Sequence, residues 1–297
     1  MFRIAIVSAF LAMTACVADD LSSTEQDLEP TNELGGGEPH DARVFHVRGD
    51  AGGGGGTSSP NLLYHGGPVI TAGTVVQPIF WGPSWSNSSF VGDKISGLGS
   101  FYSGVGGSAY MGTNTEYTDS SGHVSAAVSA RSGVIDTSTA ARNGGRTSVI
   151  LNEVCKLFPT PTPNAYYPVY IDNRRGHSGY CAWHSTGTCN GVRVQFGFFY
   201  NLDGDSGCDP QDPSNTHSQG LEALANVTGH ELSEMVTDPQ LDAWYDSSGA
   251  ENSDKCAWTF GSPVSFGSTS WKIQGNWSNG AYNSSSGYDG GGCIDGN

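Results

Sequence analysis

The chain has 297 residues, with 13 Lys and Arg against 29 Asp and Glu, a formal net charge of −16, and only 14% of its residues are charged. Soluble domains average ~25%, so a coiled coil, which needs charged flanking positions, and a duplex nucleic-acid binder, which needs a basic face, are both excluded. A hydrophobic content of 36% with 10% aromatics is enough for a core, and 43 glycines predict many turns.

In chain order, Arg3 and the apolar run Ile4–Met13 come first. The run is too short to cross a bilayer core of ~30 Å as a helix and suits the apolar region of an export signal. It closes on Met13-Thr14-Ala15-Cys16. A small residue before Cys16 resembles a bacterial lipoprotein cleavage site, which makes 1–16 the signal and Cys16 a lipid anchor. Cleavage near Ala18 is the alternative. The first places the chain at the bacterial outer membrane or cell surface; the second releases it as a secreted protein. Acylating Cys16 leaves six cysteines, Cys155, Cys181, Cys189, Cys208, Cys256 and Cys293, an even set that in an exported protein predicts disulfides. Sequence does not choose the pairing; Cys256 with Cys293 and Cys181 with Cys189 are candidates.

Residues 17–59 hold nine acidic residues, two arginines and the run Gly52–Gly56. So few large apolar side chains cannot order the segment, which is expected to be a flexible stalk or a pro-segment. A single disulfide-bearing globular domain then occupies 60–297. Val69–Trp81 is apolar and β-branched, predicting a buried strand. A helix is predicted from Ser86 to Tyr102, capped by Ser86 or Asn87, followed by strands and loops over 103–145. Ser148–Phe158 has helical spacing and is stopped by Pro159, Pro161 and Pro163, which cannot donate into a helix. Tyr166–Ile171 and Val192–Tyr200 read as strands. Leu221–Val236 is the best-defined helix, ended by Asp238-Pro239. The remainder is turns and short strands, so the fold class is α+β, with a mixed twisted sheet.

On the Leu221–Val236 helix one side carries Leu221, Thr228, Leu232, Met235 and Val236, and the other Glu222, Asn226, His230, Glu234 and Asp238. Residues four apart are neighbours on a helix surface, so His230 and Glu234 can face one ion, with Glu231 beside them. This His-Glu-x-x-Glu differs by one residue from the zinc-protease pattern His-Glu-x-x-His, in which the outer pair binds zinc and the inner Glu is general base. Carboxylate is an acceptable zinc ligand, harder and more negative than imidazole. Glu251 and Asp254, 17 and 20 residues after Glu234, can supply a third ligand and a supporting contact. Asp238 competes for a ligand role at the helix end. Gly229, in mid-helix at a cost of ~1 kcal/mol against alanine, predicts the close approach of another backbone.

Asn201, Asp203, Asp205 and Asp212 occupy positions 1, 3, 5 and 12 of a calcium-type loop over 201–212, although Ser206 stands where such loops need glycine. A disulfide-pinned acidic turn is the competing reading. His65 and His177 have no metal-ligand spacing and read as surface or packing residues. No nucleophile-elbow serine motif or phosphate-binding loop occurs.

Several ordered blocks resemble the exordium, or phosphate-induced protein, family: Tyr64-His65-Gly66-Gly67-Pro68, Phe80-Trp81-Gly82, Asn164-Ala165-Tyr166-Tyr167, Gly179-Tyr180-Cys181-Ala182-Trp183-His184, Thr228–Glu234, Thr237-Asp238-Pro239, Ala243–Asp246 and Glu251–Cys256. They extend over residues 62 to 295. The resemblance implies a secreted protein whose bacterial relatives keep His-Glu-x-x-Glu, on an active helix similar to that of zincin metallopeptidases. It also implies that His184, inside a family block, contacts substrate or stabilises a transition state. The expected function is thus an exported zinc-dependent hydrolase, most simply a metallopeptidase. His230, Glu234 and Glu251 hold zinc, Asp238 is a further candidate, and Glu231 and His184 are catalytic. The alternative is a non-catalytic module that binds cell-wall glycan or a protein partner, with Trp183, Trp244, Trp258, Trp271 and Trp277 available for stacking. A monomer acting on a peptide or protein is expected, with no nucleic-acid partner.

Overall fold

The computed structural model describes residues 39–49, 60–142, 146–214 and 216–297. The expected signal 1–16, its Cys16 anchor and most of the segment 17–59 lie outside them. No helix among the described residues is long and apolar enough to cross a membrane.

The architecture is α+β, built on one mixed sheet. Its strands are β1 (Arg43–His46), β2 (Thr74–Val76), β3 (Ile79–Trp81), β4 (Val128–Ala130), β5 (Val134–Asp136), β6 (Ala165–Arg174), β7 (Tyr180–Cys189) and β8 (Val192–Asn201). They run in the order β1-β7-β8-β6-β2-β4, with β3 joining β6 to β5. β7 pairs antiparallel with β1 and β8, whereas β8, β2 and β3 lie parallel to β6. The middle of the sheet is buried on both faces, which is why β6 and β8 read as nearly unbroken aromatic and aliphatic runs: Tyr166, Tyr167, Val169, Tyr170 and Ile171 face Phe196, Phe198 and Phe199 within the core.

Three expectations are corrected by this sheet. The stretch Val69–Trp81 makes two short strands rather than one, because Gln77 and Pro78 separate them and Pro78 has no amide donor for a ladder. The helix expected from Ser86 to Tyr102 is a single turn, Ser88–Val91, capped by Asn87, followed by α1 (Lys94–Val105). The break falls at Gly92, whose φ of 52° leaves the helical region. And 17–59 is not stalk throughout: β1 adds to the edge of the sheet with Arg43 opposite His184 and Val44 opposite Trp183, and Phe45 is buried. Alternation over only four residues is too short a signal to stand out from an acidic, glycine-rich neighbourhood.

The helix expected at Ser148–Phe158 forms as α2 (Thr147–Leu157). Three disulfides close the fold: Cys155–Cys189, Cys181–Cys208 and Cys256–Cys293. The last is one of the candidate pairings. Cys181 with Cys189 is overturned, since both sit on β7 and the strand holds them apart; each instead reaches a neighbouring element. Cys256–Cys293 closes a 37-residue separation, and loss of such a crosslink costs about 3–4 kcal/mol. The Cys256→Ser/Cys293→Ser protein is therefore expected to melt roughly 6–16 °C lower, which differential scanning calorimetry of the oxidised chains would measure.

The helix carrying the motif is α3 (Gln219–Thr237), which contains the expected 221–236; Ser218 caps it by accepting from the Leu221 amide, and Asp238 ends it. Both its faces are buried, so every residue from Gly220 to Thr237 is out of solvent. Gly229 is explained by a side chain rather than a backbone: a Cβ there would stand 3.0 Å from the Tyr110 hydroxyl.

Burying the polar face has a measurable consequence at Glu222. Burial, then the charge of Asp212, pushes its carboxyl up to about 8. Between the ordinary carboxylate range and pH 8 the folded chain holds a proton there that the unfolded chain has lost, so stability falls as pH rises through that window. Glu222→Gln is expected to flatten this slope and to melt above the native chain at pH 8, by an amount worth on the order of a few kcal/mol. Melting curves at pH 5, 6, 7 and 8 would read it.

Candidate metal centre

α3 and β7 supply the two imidazoles of a buried cluster, and the loop after α3 supplies carboxylates. One helical turn separates His230 from Glu234, and their side chains meet: His230 Nε2 is 3.0 Å from Glu234 Oε1. The loop returns so that Asp254 Oδ1 lies 3.5 Å from the same His230 nitrogen. Its placement is reinforced from the backbone, since the Asp254 amide donates to Glu234 Oε1 at 2.9 Å and the Glu251 amide to Asp254 Oδ2 at 3.0 Å. The Ser253 hydroxyl, 3.3 Å from the His230 carbonyl and 2.8 Å from Asn276 Oδ1, shares its one proton between the helix and the chain at Asn276. His230, Glu234 and Asp254 each offer one ligand atom, all within 4.8 Å of one another.

A second group shares Glu234. His184 Nδ1 lies 3.2 Å from Glu231 Oε2 and 3.5 Å from Glu234 Oε2, and these three also converge within 4.8 Å. His184 faces Gly197 across the β7–β8 ladder, where a Cβ would collide with the Tyr166 hydroxyl. Its Nε2 points to Glu251 Oε2 at 3.6 Å, and Glu251 is in turn 3.7 Å from Arg43 Nε of β1.

Glu251, the expected third ligand, falls in neither trio. Glu251 stands on the His184 side, at the start of a tight turn, and that turn carries Asp254 back over Glu234. Asp238 is not a ligand in either group. Its Oδ1 accepts from the Asp242 and Ala243 amides at 2.7 Å each, closing the helix end.

The charges in this cluster set one another. Burial opposes a charge on His184, yet hydrogen bonds to Glu231 and Glu234 outweigh it and raise its pKa to about 9. Burial also opposes ionisation of Glu234, but His230 and His184 hold its carboxyl below the usual range. Glu231, Glu251 and Asp254 are each raised, chiefly by burial and by the negative charge of Glu234. Several buried atoms here are without a hydrogen-bond partner: Glu231 Oε1, Glu234 Oε2, both Glu251 oxygens, His184 Nε2 and His230 Nε2. Unpaired charge out of water is costly, so this donor set fits a cation.

Four contributors had no local signal in sequence. Gln274 Nε2 lies 3.1 Å from His230 Nδ1 and donates to the Ser253 carbonyl at 2.7 Å. With the proton on Nε2, His230 Nδ1 accepts from Gln274; an ion on Nε2 requires the proton on Nδ1 and the Gln274 oxygen turned to meet it. Phe45 stacks on His230 with ring centres 3.9 Å apart, and Arg43 covers Glu251, so β1 roofs the cluster. The buried Tyr166 hydroxyl has no hydrogen-bond partner, and burial and then Glu231 push its pKa up. These residues come from positions far apart in the chain.

Other expected sites resolve differently. The loop 201–212 does not gather its oxygens. Asp203 pairs with Lys94, Asp205 with Arg175 at 2.7 and 3.0 Å, and Asp212 accepts from Ser214. This is the disulfide-pinned acidic turn, with Cys208 bonded to Cys181, and not a calcium loop. His65 stacks on Tyr245 and His177 is exposed, as packing and surface residues. Trp183, Trp271 and Trp277 are buried, and Trp244 and Trp258 partly so; they are core aromatics, not a sugar-stacking strip.

The fold and the cluster define the class: a disulfide-crosslinked α+β protein with a histidine–carboxylate centre able to hold a metal ion. No protein-family model, curated protein or solved structure matches the chain.

Proposed function

We propose that the chain is an exported metal-dependent hydrolase, a peptidase in the first instance, in which His230, Glu234 and Asp254 hold zinc and Glu231 is the general base. What carries this reading is the convergence of His230, Glu234 and Asp254 from one helical turn and one pinned loop, with Glu231 one residue further round the same helix. The ion, when bound, supplies Lewis acidity and an acidified water. Two carboxylate ligands leave it a weaker Lewis acid than a two-histidine site, which puts more weight on the chain's own groups. Glu231, made more basic by burial, accepts the proton of the attacking water at its unpartnered Oε1. His184 holds Glu231 by the 3.2 Å contact at Oε2. The net charge of −16 favours basic over acidic substrates. Export is supported by the three disulfides.

The test is a peptide-library hydrolysis assay on zinc-loaded chain. Glu231→Gln is expected to lower turnover by about 10²–10⁴-fold while the His230-dependent ion stays bound. Native-level turnover by Glu231→Gln would overturn the assignment of the base. A library left intact by the zinc-loaded native chain would overturn the peptidase reading.

A further inference from the structure

We infer that the centre takes two divalent cations, with Glu234 bridging them and His184, Glu231 and Glu234 holding the second. This rests on the proposed ion at His230, Glu234 and Asp254 and deepens it.

The argument starts from the two oxygens of Glu234, which face different partners. Oε1 points to His230 Nε2 at 3.0 Å and Oε2 to His184 Nδ1 at 3.5 Å. Glu234 belongs to both trios of ligating residues, and these contacts turn one oxygen toward each. Zinc bonds of 2.0–2.2 Å in tetrahedral geometry put ligand atoms roughly 3.3–3.6 Å apart. The contacts of 3.2 and 3.5 Å around His184 and those of 3.0 and 3.5 Å around His230 lie close to that spacing.

A carboxylate also stands behind the histidine of the second trio, just beyond hydrogen-bond distance. A metal-bound imidazole gives its other N–H to a carboxylate or carbonyl, which fixes the ring and raises its basicity. Glu251 Oε2 stands 3.6 Å from His184 Nε2 and is itself backed by Arg43. Glu251 is then the carboxylate behind His184, which leaves Nδ1 free to ligate. This gives a purpose to a buried acid that neither binds the first ion nor has a hydrogen-bond partner.

Charge balance points the same way. Glu231, Glu234, Asp238 and Glu251 are fully buried and Asp254 largely so, against the single guanidinium of Arg43. The excess of buried carboxylates over that one cation favours divalent ions among them. Glu231 would meet the second ion through Oε2, with Oε1 left open. One imidazole with carboxylates suits zinc or manganese better than calcium or copper.

The experiment uses the full oxidised chain, stripped with chelator, reloaded with Zn²⁺ or with Mn²⁺, desalted and analysed by mass spectrometry. Two ions per native chain are expected, falling to one in His184→Ala and to one in His230→Ala. Because those variants can lose structure, the native Mn²⁺ form is read by electron paramagnetic resonance as well. Two carboxylate-bridged Mn²⁺ ions are exchange-coupled, whereas an isolated ion gives six lines. One ion per native chain, kept in His184→Ala and lost in His230→Ala, would overturn the second site and leave the proposed function standing. An uncoupled six-line spectrum at full loading would overturn the bridge. A native chain that takes up neither metal would overturn both readings.

Discussion

Glu234→Ala is expected to empty the centre of metal and to abolish hydrolysis, the largest loss that any single substitution should produce here. The reason is positional: Glu234 alone belongs to both ligand groups, so no neighbour can replace it. His230 would keep Asp254 at 3.5 Å and His184 would keep Glu231 at 3.2 Å, but each trio would be reduced to a pair. The fold should suffer too. Removing one partner of a buried ion pair costs about 3–5 kcal/mol, and here two imidazoles lose a carboxylate neighbour and the Asp254 amide loses its acceptor. Metal analysis and thermal melting on the same preparation separate the two effects. Glu234→Gln supplies the control: it keeps the volume and an acceptor oxygen for the Asp254 amide, so it should recover most of the melting temperature while metal binding stays weakened. Full metal retention in Glu234→Ala would show that the two groups do not share this carboxylate.

Asp254→Ala is expected to weaken metal binding at His230 and Glu251→Ala to leave it, which metal analysis of the two variants would read. Spacing along the chain allowed either residue to follow Glu234 as third ligand, because both fall within one loop of the helix. What separates them is the turn itself. The Glu251 amide donates to Asp254 Oδ2 and the Asp254 amide to Glu234 Oε1, and these two bonds fold Asp254 over the metal-facing side while Glu251 is directed at His184. No periodicity encodes that reversal. The helix, by contrast, was plain from the residues: its end before Pro239 and the four-residue step from His230 to Glu234 are local physics. His184 is the opposite case. Its strand pairs with β1 near the start of the chain and with the adjacent β8, and Glu231 lies 47 residues further on, so nothing near His184 in sequence announces that the two meet. The same is true of Gln274, which reaches His230 across a 44-residue separation.

Phe45→Ala is expected to destabilise the chain by about 3–5 kcal/mol, the range for truncating a buried Phe, and to lower its melting temperature by roughly 6–20 °C. Phe45 is completely buried, its ring stacked on His230 at 3.9 Å and on Trp258 at 4.8 Å, so truncation leaves a void directly over the His230 imidazole. The neighbouring contacts make this more than a core defect. β1 sets Arg43 opposite His184 and against Glu251, and with Phe45 it closes the cluster off from solvent. Opening that roof should let a chelator reach the ion, so zinc should leave Phe45→Ala at least ten times faster than it leaves the native chain, as followed with a chromogenic chelator well below the melting temperature. Phe45→Leu refills much of the void without the stacked ring and should lie between the two. If melting falls as expected while the zinc off-rate is unchanged, β1 supports the sheet but does not gate the centre, and substrate must enter from the side of the loop that carries Asp254.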